Sequence, residues 1–412
     1  MSWQEVSFEA LYSEDSRNGV YKPKEYHGSG VRVVNMGELF GYDRIGDQPM
    51  RLLQLTDHEM EKSSLQDGDL LFGRRSLVEE GAGKCSLVFR PTQPMTFESS
   101  IIRVRLDQEA ADPHFYYYYF KSSVGRSRVM AIVSGVTVKG IRGSELKKIL
   151  VHRPPIKDQI KIRDFLSIYD DLISANQRRI QLLEESARLL YREWLVKLRF
   201  PGHETVPVTD GVPEGWAWEQ LGDICDDIRD AVDPNELPAG TPYLSMEHMP
   251  QRSISLTDWD YAKKVGSTKL KFSNGDILFG KIRPYFHKVG IAPISGITST
   301  DVITIRAKSL DLLPLVALIV SSDAFVAHSV ATSNGTKMPR ANWKVLKKWQ
   351  VLVPDPMLLA ELTSSLNAVL EQIQSIGLHN RSLRQARDLL LPKLMSGALD
   401  VSRINLPKEV AA

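Results

Sequence analysis

Cysteine is scarce in this chain: Cys85 and Cys225 are the only two in 412 residues, and they lie far apart. They make neither a metal-ligand spacing nor a disulfide framework, and a reducing cytoplasm is the compartment they imply. Long apolar runs are missing too. The longest candidate, LPLVALIV at 313–320, falls far short of the ~20 residues a membrane-spanning helix needs. The N-terminal MSWQEVSFEA lacks a basic segment followed by an apolar stretch, so no secretory signal is expected. Nor does one sign of charge dominate. Fifty-two Lys and Arg against 50 Asp and Glu leave a net +2, so any claim of nucleic-acid binding must rest on local patches.

Catalytic signatures are equally thin. There is no H-E-x-x-H, no G-x-S-x-G and no Cys/His cluster, which removes the common zinc-hydrolase and serine-hydrolase readings. No glycine-rich cofactor loop is followed by an Asn-Pro-Pro-aromatic string. His58, His114, His203 and His379 stand apart from nucleophile partners. GAGKCS at 81–86 has the Gly-Lys of a phosphate-binding loop, but Val78 stands where its first glycine belongs. A nucleotide-hydrolysing reading would need that loop. No residue is assigned as catalytic and no metal site is expected.

A long helix is what the sequence has most plainly. From Pro154 to Leu195, residues Ile162, Leu166, Tyr169, Ile173, Asn176, Ile180, Leu183, Ala187, Leu190 and Trp194 recur at alternating spacings of four and three. That is a heptad seam. Helical from Gln159 to Lys197, it would run roughly 58 Å at ~1.5 Å per residue and could not bury its seam alone. Two hundred residues on, Leu362, Leu366, Val369, Ile373, Ile376, Asn380, Leu383, Arg387, Leu390 and Leu394 repeat the rhythm. If the helices pack antiparallel, partners share a constant index sum. A sum of 556 pairs Asn176 with Asn380, Ile180 with Ile376, Leu183 with Ile373 and Tyr169 with Arg387. The two Asn are then candidates to set the register; otherwise each is hydrated at a frayed edge.

The rest is duplicated as well. DGDLLFGRR at 67–75 matches NGDILFGKIR at 274–283, and SGVTVKGIRGSELKK at 134–148 matches SNGTKMPRANWKVLKK at 333–348. At this length two or three domains are expected. The boundaries read as a first globular domain 1–153, a central spacer helix 154–200, a Pro/Gly/Thr-rich linker 201–215, a second globular domain 216–353, a C-terminal spacer helix 354–400 and a tail 401–412.

With GDLLFG and GDILFG, the SG-x-T and NGT-K turns before LKK, PPIKDQ opening the first long helix and EGWAWEQLGDI opening the second domain, the chain resembles the specificity subunits of type I restriction–modification systems. The resemblance covers nearly its whole length. It departs where the second helix opens on PDPMLLAEL and where the first domain has only Trp3 near its start. It implies an α+β fold: two similar α/β target-recognition domains separated by a long antiparallel two-helix coiled coil with a pseudo-twofold repeat. It further implies a non-catalytic reader of split double-stranded DNA targets. Two methyltransferase subunits and restriction/translocase subunits would dock on it, and those partners would hold S-adenosylmethionine, ATP and Mg. A coiled-coil scaffold that binds only proteins is the alternative.

Duplex DNA contact needs cations on one face and Arg, Lys, Asn or Gln on projecting loops. In the first domain the candidates are Arg74, Arg75, Arg126, Arg128, Thr137, Lys139 and Arg142; in the second they are Lys281, Arg283, Asn334, Thr336, Lys337 and Arg340. Lys121, Lys147 and Lys148 extend the first cluster, and Lys263, Lys264, Lys269, Lys271 and Lys288 the second. Taken singly, each is better explained as a solvated surface charge; the two clusters together, with the repeat, favour DNA contact. The aromatic run Phe115–Phe120 could stack bases or form the buried face of a helix.

Overall fold

The computed structural model describes residues 3–78, 81–233, 236–262 and 266–400. The chain divides into two compact units: Met1–Asp171 with Gln385–Ala412, and Leu172–Arg384. The division cuts both long helices, Ile156–Tyr191 and Pro356–Met395, so each unit owns part of each.

In the first unit a five-stranded sheet runs Tyr12–Asn18, Ile101–Leu106, Leu70–Gly73, Cys85–Val88, Arg44–Ile45 in spatial order. Gln4–Ser7 pairs antiparallel with Leu150–Arg153, which leads into the first long helix. The second unit repeats this plan. Its four-stranded sheet runs Cys225–Asp227, Val302–Ala307, Ile277–Gly280, Val289–Ile291, and Ala217–Gln220 pairs with Gln350–Val353. Registers repeat too: Gly73 faces Ile101, and Gly280 faces Val302.

The repeated Gly-Asp has a structural cause. Gly68 and Gly275 both sit at φ +87°, a conformation glycine adopts freely. The following Asp69 and Asp276 are buried. Each accepts two hydrogen bonds from one guanidinium, Arg105 and Arg306 respectively, at 2.7 and 2.8 Å. Each also accepts from a backbone N–H at the turn, that of Gln66 or Ser273, at 2.7 Å. The bidentate pair ties the turn to the neighbouring strand.

The aromatic run is core. Asp112 caps helix Pro113–Lys121 through the Phe115 N–H at 2.8 Å, and Phe115 to Phe120 are all buried. Tyr116 donates to the His152 carbonyl at 2.9 Å and Tyr118 to Asp170 at 2.7 Å. The rings are spent on packing, and base stacking is ruled out for them. In the second unit helix Leu313–Val320 is buried in the same way. Among the described residues no single helix is long and apolar enough to cross a membrane.

The seam residues go where the heptads place them. Ile162 and Leu166 join Leu394 in the first core, where Leu390 of the seam is partly buried and its neighbour Leu391 fully so; Ile180 and Ala187 join Leu362, Leu366 and Ile373 in the second. Each fully buried Leu or Ile contributes roughly 1.5–3 kcal/mol. Within the second unit Asn176 meets Asn380 and Arg179 meets Gln372. Partner numbers fall as the first rise, so the helices are antiparallel. Asn176 Nδ2 donates to Asn380 Oδ1 at 2.8 Å, and Asn380 Nδ2 donates to the Ile173 carbonyl at 3.2 Å. Asn380 is 1% exposed. In the first unit Arg387 lies opposite the same stretch of the first helix, around Tyr169, that the index sum gives it. Its long side chain reaches the neighbouring carboxylate, Asp170. The first long helix closes in a π turn, Arg192–Val196.

Residues 201–215 are not a bare linker. They form a turn at His203–Thr205 and a small hairpin, Val208–Thr209 against Val212–Pro213. Asp210 and Gly211 both have positive φ, as a two-residue Asp-Gly hairpin turn requires.

Glu184, on the first long helix, holds an apposed loop of the second unit. It accepts from Ser253 Oγ at 2.6 Å and the Ile254 N–H at 2.9 Å, and pairs with Arg188 at 2.9 Å. Burial pushes its carboxyl above the usual range, against those favourable partners. A raised carboxyl means that the folded state holds a proton the unfolded chain has released. Stability therefore falls as pH climbs from the ordinary carboxylate value through the raised one. Urea midpoints of the wild type should drop over that interval relative to Glu184→Gln. Parallel pH profiles would contradict this.

Candidate nucleic-acid interface

In each unit the strand that follows the buried Asp ends in glycine, and the next residues leave the sheet as a short cationic segment. Arg74 donates its N–H to the Ser100 carbonyl at 2.8 Å, and Lys281 to the Asp301 carbonyl at 2.8 Å. This segment lies against a loop some 60 residues further on. In the first unit Ser134 and Gly140 exchange backbone hydrogen bonds at 2.9 and 2.8 Å, closing the loop between them. Gly140 faces Arg75, and the Ile141 N–H donates to the Arg74 carbonyl at 3.0 Å. A Cβ at Gly140 would lie 2.7 Å from that carbonyl oxygen, so only glycine permits the approach.

The second unit repeats the arrangement. Asn334 and Arg340 exchange bonds at 3.1 and 2.9 Å, the Ala341 N–H reaches the Lys281 carbonyl at 2.9 Å, and the Arg283 N–H reaches the Pro339 carbonyl at 2.8 Å. Gly135 and Gly335 have φ +107° and +96°. The fold thus places a cationic strand end beside an exposed loop twice.

The candidate residues fall into two groups. Arg75, Thr137, Arg142, Asn334, Thr336, Lys337 and Arg340 are exposed. Arg74, Lys139, Lys281 and Arg283 are half-buried beside them. Arg340 lies 3.9 Å from Asp301, a weak surface pair. Arg126 and Arg128 belong to helix Ser123–Met130. Arg126 is half-buried near Gly83, and Arg128 is paired with Glu5.

Several other cations serve the fold. Lys121 pairs with Asp43 and donates to the Tyr117 hydroxyl at 3.1 Å. Lys147 and Lys148 face Glu9 and Glu145 at 3.3 and 3.6 Å. Lys271 lies 3.7 Å from Asp230. Lys269 donates to the Ser267 carbonyl at 2.7 Å and Lys288 to the Met246 carbonyl at 2.6 Å. Desolvation pulls both of those ammonium groups below the ordinary lysine value. Lys263 and Lys264 lie outside the described residues.

GAGKCS is not a phosphate loop. It leads into strand Cys85–Val88 rather than a helix, and Lys84 donates to the Phe40 carbonyl at 2.7 Å. Its glycines give close packing: a Cβ would lie 2.3 Å from Ser76 Oγ at Gly81 and 2.2 Å from Val129 at Gly83.

Sequence reasoning missed two buried charge sites. One is the buried Asp that pairs with a strand arginine, Asp69 with Arg105 and, in the second unit, Asp276 with Arg306. Its signal was available, because an Asp follows Gly in both copies of the motif and an Arg stands in each partner strand. The other is a network in the first unit in which Asp170 receives Arg387 and Tyr118, with Arg44 at 3.6 Å.

Residues 44–185 match the family described as Type I restriction modification DNA specificity domain. The MjaIX specificity subunit of Methanocaldococcus jannaschii is 22% identical over 93% of this chain and 90% of its own length. The EcoKI specificity subunit of Escherichia coli K12 is 29% identical over 39% of this chain and 34% of its own. A crystal structure of the type I restriction–modification S subunit from M. genitalium shares the fold, with a TM-score of 0.57 at 16% identity over 96% of each chain. Residues 44–185 thus match the DNA specificity domain of type I restriction–modification systems, and over nearly its whole length the chain is similar to specificity subunits of such systems.

Proposed function

We propose that this chain is the DNA reader of a type I complex and performs no chemistry itself. Each unit meets duplex DNA through its strand end and loop, Arg74, Arg75 and 134–140 in one, Lys281, Arg283 and 334–340 in the other. The observation that carries this reading is the recurrence of that juxtaposition on two unlike loops. Exposed cations meet phosphates, while Thr137, Asn334 and Thr336 offer hydrogen-bonding edges for bases. Because SGVTVKG and NGTKMPR differ, the two half-sites differ, and the target is split. The Asn176–Asn380 contact fixes the helix register, and the paired helices set the gap. Two methyltransferase subunits, with S-adenosylmethionine, and restriction/translocase subunits, with ATP and Mg, dock on this frame. Support for docking comes from Ala175, Leu182, Leu189 and Val196, which recur every seventh residue and are all exposed. The cytoplasm is the compartment where such a complex meets DNA.

Binding of the full chain, assembled with its methyltransferase subunits, to duplex DNA should weaken linearly with log salt. Arg75→Ala should lower affinity by about 1–3 kcal/mol if it reads a base, or shrink the salt slope by about one if it meets a phosphate. A slope near zero would favour the protein-only scaffold.

A further inference from the structure

The loop Ser134–Gly140 carries a feature its cations do not explain. Its apex is apolar: Val136 is 95% exposed and Val138 45%. An isopropyl group held in water adds nothing to the fold, and neither valine belongs to a core cluster. Yet the loop is built to a defined shape. Reciprocal Ser134–Gly140 hydrogen bonds close its base. Gly135 makes a turn that an L side chain would strain, since a Cβ there would lie 2.2 Å from the Val138 carbonyl oxygen. Gly140 locks the base onto the Arg74 carbonyl. The valines therefore project from a fixed point among Arg74, Arg75, Lys139 and Arg142, and the loop itself contains no acid.

That surround selects a polyanion whose interior edge is apolar. In the major groove the apolar edge is the thymine 5-methyl group, and small aliphatic side chains read it. Wedges that open a base step are usually longer residues such as Leu, Ile, Met or Phe, and valine is short. We propose that Val136, with Val138 beside it, reads a thymine methyl in the half-site served by the first unit. This rests on the DNA-reading function proposed above. At the matching places, 200 residues on, the second unit has Thr336 and Met338, so the contact belongs to one half of the target.

The test uses the full chain assembled with its methyltransferase subunits and a duplex recovered from its own methylated sites. Each thymine is replaced in turn by deoxyuridine, which lacks only the methyl group. The wild type should lose about fourfold in affinity, the worth of one buried methyl, at one or two thymines confined to one half-site. Val136→Ser should bind the unmodified duplex as weakly as the wild type binds the deoxyuridine duplex, should show no further loss on deoxyuridine, and should keep the wild-type salt slope. Wild-type tolerance of every deoxyuridine, or undiminished sensitivity in Val136→Ser, would overturn the thymine contact and leave the DNA-reading function standing. Failure of the wild-type assembly to bind any duplex would remove both.

Discussion

Asp170→Ala should destabilise the first unit by about 3–5 kcal/mol, the cost of breaking a buried ion pair from one side. Asp170 and Arg387 are both under a tenth exposed. Asp170 accepts from Arg387 through one oxygen and from Tyr118 through the other, and Arg44 stands 3.6 Å away. Removing the carboxylate leaves a buried guanidinium whose ion pair is then with the solvent-facing Asp388 at 2.8 Å, and a buried phenol that has lost its acceptor. Arg44 keeps Asp171 at 2.5 Å and the Tyr118 hydroxyl at 3.1 Å.

At the places 200 residues away, the second unit has Leu370 and Ala187, both buried in its core. The double variant Asp170→Leu with Arg387→Ala copies that apolar solution. It should lose less than the two single changes added together, with a coupling of about 1–3 kcal/mol. The expected readout is a lowered denaturant midpoint, with faster amide exchange in Leu70–Gly73 and unchanged exchange in Ile277–Gly280. A loss under 1 kcal/mol for Asp170→Ala, or strict additivity, would show that the network contributes little.

Deleting one heptad from each long helix, the two that face each other on the same side of the Asn176–Asn380 contact, should shorten the gap in the target and leave both half-sites as they were. Seven helical residues span ~10.5 Å, so the gap should contract by up to about three base pairs at ~3.4 Å each. A whole heptad preserves the seam, because every apolar residue meets its new partner in phase. Removing three or four residues instead rotates the seam away from its partner and should destabilise the chain. An unchanged gap after heptad deletion would end the role of the helices as a spacer.

The sequence displayed the scaffold well because the scaffold is periodic. A heptad seam is a local pattern, and its recurrence after 200 residues announced both long helices. The constant index sum paired Asn176 with Asn380 without coordinates. The same sum set Arg387 opposite Tyr169 but did not reveal its ion pair with Asp170, the next residue, since a guanidinium on a long stem chooses its carboxylate by reach. Asp69 and Arg105 lie 36 residues apart, and no local spacing reveals a pair formed across a sheet. The second sheet of the second unit, with strands such as Ala231–Val232 and Pro242–Tyr243, is too short to show alternation. The cation clusters were legible as clusters only. Composition does not separate Lys121, drawn onto Asp43 and Tyr117, from Arg75, left facing solvent.

The most direct measurement is a map of methylated adenines in cells carrying the complete system, with the wild-type chain and with a chain whose 134–140 loop is replaced by the sequence of 334–340. The wild type should mark a split sequence with an invariant gap, and the loop exchange should alter one half of it while the other half and the gap persist. A continuous wild-type motif, or a loop exchange that changes both halves or neither, would contradict the assignment of one half-site to each unit.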